Sequence, residues 1–423
     1  MFGYCLYDFA NSSFTTLIST VAFSVYFSQV VVAGPRADLL WSLAGSTTHV
    51  LLILGAPILG ALADYSGRKK RLLLITTIQT VVACALLGLV GPGDVVLAFV
   101  LYTIGAVGFE GGYVFYNAFL PDVSTPRTIG RISGLSWGTG FLGGLTALVA
   151  CAPLLARPLT DPSTGWLDPL AVKNYRISFV VVAGFFALFS IPTFLFLKER
   201  GPRRRLHGWR DSFSVGFLRV RQTLRDLPRY GSAARFVLAA LFFTAGLETV
   251  IKFSAVYATV TFGIQGTELI ALFVVANVVA APGTIAAGMV ADRIGARRAL
   301  SLTLLAWFAL VIVGASTSTR VGIWVMAQGV AVAMGSTQAI GRSMMVQLSP
   351  AGRESEFFGF YLLCNKLGAV LGLLLFGIVS SVTGSQRAAL LSIAPSFVIA
   401  LALLLSIGRN GSGEETKRGS EER

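Results

Sequence analysis

Apolar stretches of about twenty residues recur along almost the whole chain, and they limit its possible folds more than any other feature. A helix that crosses roughly 30 Å of hydrocarbon at 1.5 Å rise per residue needs about 20 predominantly apolar residues. Of the 423 residues, 54% are hydrophobic and 13% are charged, whereas soluble domains carry roughly 25% charged residues. We therefore expect an all-α integral membrane protein.

The apolar pattern predicts twelve transmembrane helices. The first lacks a basic start and a small-residue cleavage site, so we interpret it as a retained helix and not as a signal peptide. The predicted helices lie near residues 8–33, 38–63, 70–90, 94–118, 131–154, 175–197, 236–262, 267–291, 298–317, 321–346, 355–383 and 386–407.

The basic residues are distributed unevenly between the predicted loops. Of the 34 lysines and arginines, 25 fall on one side of the predicted membrane, six on the other and three within helices. Because cytoplasmic loops retain positive charge, this bias predicts that both termini and the central loop lie in the cytoplasm. It also accounts for the net charge of +14, so we expect no nucleic-acid partner.

The two halves of the sequence resemble each other at an offset of 228 residues. The stretch GALADYSGRKKR recurs as GMVADRIGARR, and pairs of glycines in helices 5 and 11 coincide in the same register. Two six-helix halves related by a parallel repeat form the major facilitator fold. We predict an N-terminal bundle, a basic cytoplasmic linker with an amphipathic helix, a C-terminal bundle and a polar tail, over residues 1–197, 198–235, 236–407 and 408–423.

The repeated loop motif predicts a cytoplasmic gate. Its glycines permit a sharp turn, its aspartates can accept hydrogen bonds from the N-terminal amides of a neighbouring helix, and its arginines can pair across the seam between the halves. Topogenic charge is the alternative for the basic residues, and snorkelling to the interface is the alternative for Arg342. The gate residues are Asp64, Gly67, Arg68, Asp292, Gly295, Arg297 and Arg342.

Polar side chains inside the predicted helices indicate a substrate or proton pathway, because a charge at a helix centre costs roughly 2.5–3.5 kcal/mol. Glu248 and Lys252 are four residues apart, so a neutralised structural pair and a binding site stay open as alternatives. Lys366 has no acidic neighbour nearby in its own helix, and its ammonium group suits a carboxylate or phosphate ligand, or proton movement. The candidates are Asp8, Asn11, Ser12, Thr15, Glu110, Tyr113, Asn117, Glu248, Lys252, Asn365 and Lys366.

The sequence carries no signature of a metal, cofactor or catalytic site. Its four cysteines lie far apart in apolar segments without CxxC spacing, so neither a disulfide nor a metal site is expected. No nucleotide-binding loop or catalytic triad motif occurs, so we expect neither a cofactor nor enzymatic activity. The expected partners are the lipid bilayer and a small solute, with protons as an open alternative, and the chain is expected to be monomeric.

Four segments resemble the vacuole-effluxer-like branch of the major facilitator superfamily. They are YDFANSSFTTLISTVAFSVYF, ALADYSGRKKR, FYNAFLPDVSTPRTIGRISGLSWGTGFLGG and QAIGRSMMVQLSPAGRESEFFGFYLLCNKLGA. The resemblance implies a transporter that exports amino acids or similar small solutes. Helix 7 departs from the branch pattern, since Thr244, Ala245 and Gly246 stand where an Asn-Asp-Gly stretch is usual.

The function predicted from these features is secondary active transport by alternating access. Export of small polar solutes such as amino acids is the first hypothesis, with proton coupling and uniport both open. A multidrug or lipid exporter of the same fold is the alternative, because 30 phenylalanines suit an aromatic cavity. A membrane scaffold or sensor that recruits a partner through the central amphipathic helix is an alternative of another class. The charge bias suits a prokaryotic inner membrane.

Overall fold

The computed structural model describes residues 1–33, 37–159, 166–199, 217–218, 220–222, 225, 230–264 and 266–407. The predicted amphipathic helix of the linker, apart from a few positions, and the polar tail lie outside these residues. Twelve helices of the described chain are long and apolar enough to cross a membrane. This number confirms the fold class expected from the apolar pattern.

The twelve helices are labelled α1 to α12 in chain order. In that order they cover Phe2–Val32, Ala37–Ser66, Lys69–Leu87, Val95–Asn117, Ile129–Leu155, Pro169–Phe196, Gly231–Phe262, Gly266–Ile294, Ala296–Ser316, Arg320–Leu348, Glu354–Thr383 and Gln386–Leu405. A short helix, Leu120–Val123, follows α4. Most predicted ends agree with these bounds within a few residues, and the largest differences are at the starts of α1, α6 and α7.

α6 begins before its apolar run because its start is capped. The carboxylate of Asp168 accepts hydrogen bonds from the backbone amides of Leu170 and Ala171, at 2.8 and 3.4 Å. Pro169 follows directly and has no amide hydrogen that would need a partner in the first turn. These local interactions extend the helix toward its N-terminus beyond the segment that hydropathy identifies.

α1 is an interrupted helix. Two α-helical segments, Phe2–Ser13 and Phe23–Tyr26, alternate with two π-helical segments, Phe14–Val21 and Phe27–Val32. The backbone amide of Ala22 donates to the carbonyl of Leu17 at 2.7 Å, which is the five-residue spacing of a π-helix. π-Helical turns are rare and are frequent at functional sites, and the first one here directly follows the polar start of α1.

The described chain divides into two compact units. The first comprises Met1–Gly55, Arg68–Tyr116 and Thr139–Arg200. Within it, α6 packs against both α1 and α3. Buried aromatic rings fill the space beside α1, and Tyr4 stacks on Tyr116 with ring centroids 4.3 Å apart.

The second unit comprises Ala56–Gly67, Asn117–Gly138 and Gly201–Arg423. It therefore includes one end of α2 and the start of α5 together with α7 to α12. In this unit α12 packs against α7 and α9, as α6 packs against α1 and α3 in the first. The two sets of helix pairs correspond in the sequence repeat. The units differ from the sequence halves, whose limits stay a prediction.

Glycines permit close helix contacts within each unit. A Cβ atom on Gly140 of α5 would lie 2.9 Å from Oγ of Ser12 in α1. A Cβ atom on Gly368 of α11 would collide with the carbonyl oxygen of Leu241 in α7. Gly140 and Gly368 coincide in the repeat, so the α1–α5 and α7–α11 contacts are built alike, from small residues that let helix backbones approach.

Candidate functional site

Asp292, near the end of α8, binds the N-terminus of α5. Its two carboxylate oxygens accept hydrogen bonds from the backbone amides of Gly130 and Arg131, each at 2.7 Å. These amides lie in the first turn of α5, where backbone donors have no partner in their own helix. The partial positive charge of the helix N-terminus favours a carboxylate at this position, so the hydrogen bonds are charge-assisted.

Asp64, near the end of α2, makes the equivalent contact with α11. Its carboxylate accepts a hydrogen bond at 2.8 Å from the backbone amide of Glu356, in the first turn of α11. Asp64 corresponds to Asp292 in the sequence repeat, and α11 corresponds to α5. The two contacts are therefore copies of one arrangement, in which an aspartate from one half binds a helix N-terminus of the other.

Glycines shape this end of the molecule in two ways. Gly67 and Gly295 have φ angles of +59° and +90°, which glycine adopts without the steric cost of a side chain. Each residue turns the chain from one helix into the next. Gly134 lies against α8, where a Cβ atom would be 2.8 Å from the carbonyl oxygen of Thr284. The helices approach closely here because no side chain intervenes.

Arg297 has a different position from the one the motif suggested. Its guanidinium group donates to the backbone carbonyls of Leu404 and Leu405 at the end of α12, the first of these at 3.1 Å. Lys70 donates in the same way to the carbonyl of Leu197 beyond the end of α6, at 2.7 Å. Both cations satisfy carbonyls that have no partner within their helices. Arg68 directly precedes α3 and is half-buried.

Replacing Arg297 with glutamine should lower the stability of the protein by about 1 kcal/mol and leave transport unchanged. A cation at a partly exposed helix C-terminus contributes roughly 0.3–1 kcal/mol, and its hydrogen bonds add to this. The melting temperature of the purified protein measures the effect, with Arg298→Gln, at an exposed arginine next in sequence, as the control. Lost transport at an unchanged melting temperature would instead place Arg297 in the gate.

Arg342 is buried on α10, with 2% of its surface exposed. Its guanidinium carbon lies 5.4 Å from the ring centroid of Trp137, and it makes a long hydrogen bond of 3.5 Å to Oγ of Ser136. Both partners belong to α5, so Arg342 connects α10 to α5 through a cation–π contact. This burial excludes the alternative in which Arg342 extends to the membrane surface.

In the first unit, the polar face of α1 meets α4. Oη of Tyr113 donates to Oδ1 of Asn11 at 3.2 Å. Oγ of Ser12 donates to the backbone carbonyl of Asp8 at 2.7 Å. Asp8 and Asn11 are buried, Ser12 and Tyr113 are half-buried, and Thr15 is exposed. The structure therefore assembles four of the candidates from α1 and α4 around one polar contact.

The remaining candidates on α4 lie on either side of Tyr113. Glu110 is three residues earlier and half-buried in the first unit. Asn117 ends α4 and belongs to the second unit, where it is also half-buried. The three candidates on α4 are therefore divided between the two units.

In the second unit, the polar candidates lie on α7 and α11. Oγ1 of Thr244 donates to Oδ1 of Asn365 at 3.1 Å. Lys366 follows Asn365 and is half-buried, as is Glu248, one turn along α7 from Thr244. Lys252 is exposed, and the ion pairs of the described residues do not include one between Glu248 and Lys252. The choice between a structural pair and a binding site therefore stays open.

The side chains of Ser136, Trp137 and Thr244 contact candidate residues, although none of the three was itself a candidate. Hydroxyl and aromatic side chains are common in membrane helices, and sequence alone does not show which of them face a polar partner. The departure of helix 7 from the family pattern indicated that Thr244 could have a role in the site, because a hydroxyl group at this position can still bind Asn365. No comparable signal marks Ser136 or Trp137, whose role depends on α10.

Comparison with known proteins gives consistent matches over most of the chain. The family model described as vacuole effluxer Atg22 like matches residues 40–417. The uncharacterized MFS-type transporter YxiO of Bacillus subtilis is 29% identical, over 98% of this chain and 96% of that protein. The multidrug resistance protein MdtG of Dickeya zeae is 26% identical, over 92% of this chain and 90% of that protein.

The fold is also found among solved structures. The fucose:proton symporter FucP of Escherichia coli superposes with a TM-score of 0.74 at 15% identity, over 96% of this chain and 98% of that one. At this identity the likeness concerns the fold alone, and the fold is that of a major facilitator transporter.

Proposed function

This chain belongs to the vacuole effluxer Atg22 like family, and from that premise we propose that it exports amino acids or similar small polar solutes. The chain is a secondary transporter of the major facilitator superfamily, embedded in the lipid bilayer, and it is not an enzyme. Polar side chains within its membrane-spanning helices supply groups that can bind such a solute and a coupling ion.

The observation that carries the proposal is the half-buried Lys366 within the membrane-spanning helix α11. Ionisable residues at membrane depth are costly and usually serve a substrate or ion pathway. Lys366 adjoins Asn365, whose amide accepts a hydrogen bond from Thr244 of α7. An ammonium group beside an oriented amide suits the carboxylate of an amino acid.

Alternating access is supported by the contacts of Asp64 and Asp292 with helix N-termini. Both contacts join helices of different sequence halves at the end of the molecule where the loop motif lies. We propose that they form when the cytoplasmic side is closed and break when it opens. Arg342 strengthens the same closed state through α5.

Proton coupling is the proposed energy source, with Glu110 or Glu248 as the exchanging group. Both carboxyl groups are half-buried within membrane-spanning helices. One proton that crosses 100 mV supplies about 2.3 kcal/mol, and at 1.4 kcal/mol per tenfold ratio this sustains a roughly fifty-fold solute gradient.

The proposed location is a prokaryotic inner membrane, with both termini in the cytoplasm and the chain working as a monomer. The bias of basic residues between loops supports the orientation. The similarity to the Bacillus subtilis protein YxiO supports a bacterial plasma membrane.

Replacing Lys366 with alanine should reduce amino-acid transport at least tenfold. Lost contact of an ammonium group with a carboxylate at membrane depth weakens binding by at least 1.4 kcal/mol, which is tenfold in affinity. The measurement is uptake of a panel of labelled amino acids into proteoliposomes, with and without an imposed pH gradient. Lys173→Ala, at an exposed lysine of α6, is the matched control, and Lys366→Arg should retain part of the activity.

The second candidate function is export of multidrug-type substrates. It is favoured by the 26% identity with MdtG over most of both chains. Flux of one amino acid that depends on the pH gradient and on Lys366 would support the first proposal. No flux across the amino-acid panel, together with uptake of a hydrophobic cation, would refute it in favour of the second.

A further inference from the structure

Tyr230 belongs to the predicted linker and directly precedes α7, and it packs on the first turn of α11. Its ring meets the ring of Phe357 edge to face, with centroids 5.3 Å apart and an interplanar angle of 82°. Its hydroxyl accepts a hydrogen bond at 3.0 Å from Nη1 of Arg353, the residue that precedes α11. The guanidinium carbon of Arg353 is 6.0 Å from the ring centroid of Tyr230.

Arg353 thereby lies between Tyr230 and a buried carboxylate. Its Nε is 3.9 Å from Oε2 of Glu356, whose side chain is 0% exposed, whereas that of Arg353 is 20% exposed. A carboxylate that is removed from water depends on a nearby cation held in a suitable geometry. Tyr230 contributes to that geometry because it contacts both the guanidinium group and the helix that carries Glu356.

Glu356 is also the residue whose backbone amide binds Asp64, at 2.8 Å. A chain of direct contacts therefore runs from Tyr230 through Arg353 and Glu356 to Asp64. The corresponding copy at α5 is held differently. There Thr125 and Thr128 bind each other within one turn, with the amide of Thr125 donating to Oγ1 of Thr128 at 3.0 Å.

We propose that Tyr230 is a positioning residue that holds the N-terminus of α11 in place for Asp64 and thereby stabilises the closed gate. Tyr230 acts through Arg353 and touches no solute. The proposal rests on alternating access as proposed above, and it is independent of which solute is carried. It assigns this role to only one of the two gate contacts, because at the α5 contact the turn of Thr125 and Thr128 takes the place of Tyr230 and Arg353.

Cysteine labelling of the full-length protein tests this proposal without any solute. Ser355 is fully buried beside Glu356, and its hydroxyl has no hydrogen-bond partner within the described part of the chain. Ser355→Cys in a background without the native cysteines is therefore a mild reporter of gate opening. A second single-cysteine protein retains only Cys84, which is buried in α3 and reports global unfolding.

Tyr230→Phe keeps the ring and removes the hydroxyl. We expect it to increase the rate of maleimide labelling at Ser355→Cys about tenfold, a shift in the closed-to-open equilibrium equivalent to about 1.4 kcal/mol, with the rate at Cys84 unchanged. Tyr257→Phe is the matched control, because Tyr257 near the other end of α7 also has a hydrogen-bonded hydroxyl, which donates to the carbonyl of Gly314 at 2.7 Å. This control should not alter labelling at Ser355→Cys.

A double-mutant cycle distinguishes positioning from general destabilisation. Arg353→Gln should also speed labelling, and Tyr230→Phe should add little in that background, because the hydroxyl acts through Arg353. Fully additive effects, an equal acceleration at Cys84, or an unchanged rate at Ser355→Cys would each overturn the proposal. If the protein did not alternate between open and closed states at all, the result would be different. Ser355→Cys would then be labelled no faster than Cys84, even in the protein that keeps Tyr230.

Discussion

Replacing Asp292 with alanine is expected to reduce transport about hundredfold. The substitution removes two hydrogen bonds of 2.7 Å to amides of the α5 N-terminus. Hydrogen bonds to charged groups contribute about 1.5–3 kcal/mol each, and in the open state these amides bind water instead. If the closed state loses about 3 kcal/mol of stability and the open state loses none, the equilibrium shifts roughly hundredfold toward the open state. The transport cycle then seldom reaches the closed state.

The initial rate of uptake into proteoliposomes measures this effect. Labelling of Ser133→Cys, at a fully buried serine of α5, reports the opening directly and should become faster in the Asp292→Ala protein. Asp94→Ala is the matched control, because Asp94 accepts one hydrogen bond from the amide of Gly91 at 2.8 Å in an exposed turn. Asp292→Asn keeps one acceptor oxygen and should have an intermediate effect. Equal transport by the Asp292→Ala and Asp94→Ala proteins would contradict the gate assignment.

Replacing Gly368 with valine is expected to prevent the C-terminal half from folding correctly. The new Cβ atom would collide with the carbonyl oxygen of Leu241 on α7, and backbone atoms in a packed helix do not move aside as a side-chain end does. Overpacking typically costs 1–3 kcal/mol, and we expect a cost of about 3 kcal/mol because two backbones must separate. The yield of monodisperse protein and its melting temperature measure the loss.

The control for this substitution lies on the same helix. Gly377 of α11 is exposed, and a Cβ atom there would meet nothing within 4 Å. Gly377→Val therefore carries the same change in helix propensity without the collision. If both proteins were obtained in equal yield and melted at the same temperature, the close α7–α11 contact would not be needed for the fold.

The helices were predictable from sequence because each membrane-spanning helix needs a long apolar segment. Each segment can be recognised without knowledge of the rest of the fold. Predictions failed where local or tertiary contacts take over. The early start of α6 depends on the cap at Asp168, which lies outside the apolar run. The π-helical turns of α1 leave no mark in the sequence FTTLISTV, since its composition suits an α-helix equally well.

The contacts of the candidate site were harder to predict from sequence than the helices, because most of them depend on the tertiary fold. Hydrogen bonds from helix N-termini to Asp64 and Asp292 could be expected, because a short loop after each aspartate restricts its reach to the neighbouring helix end. Arg297 has a longer side chain and several carbonyls within reach, so spacing did not reveal that it caps α12. The contact between Tyr230 and Arg353 joins residues 123 positions apart, and only the fold brings them together.

The two gate contacts are reciprocal: the N-terminal half supplies Asp64 to α11, and the C-terminal half supplies Asp292 to α5. Each half thus contributes one carboxylate and one helix N-terminus, and each binds the corresponding group of the other half. This is the contact pattern of an isologous dimer, in which the same patch on two identical subunits is self-complementary.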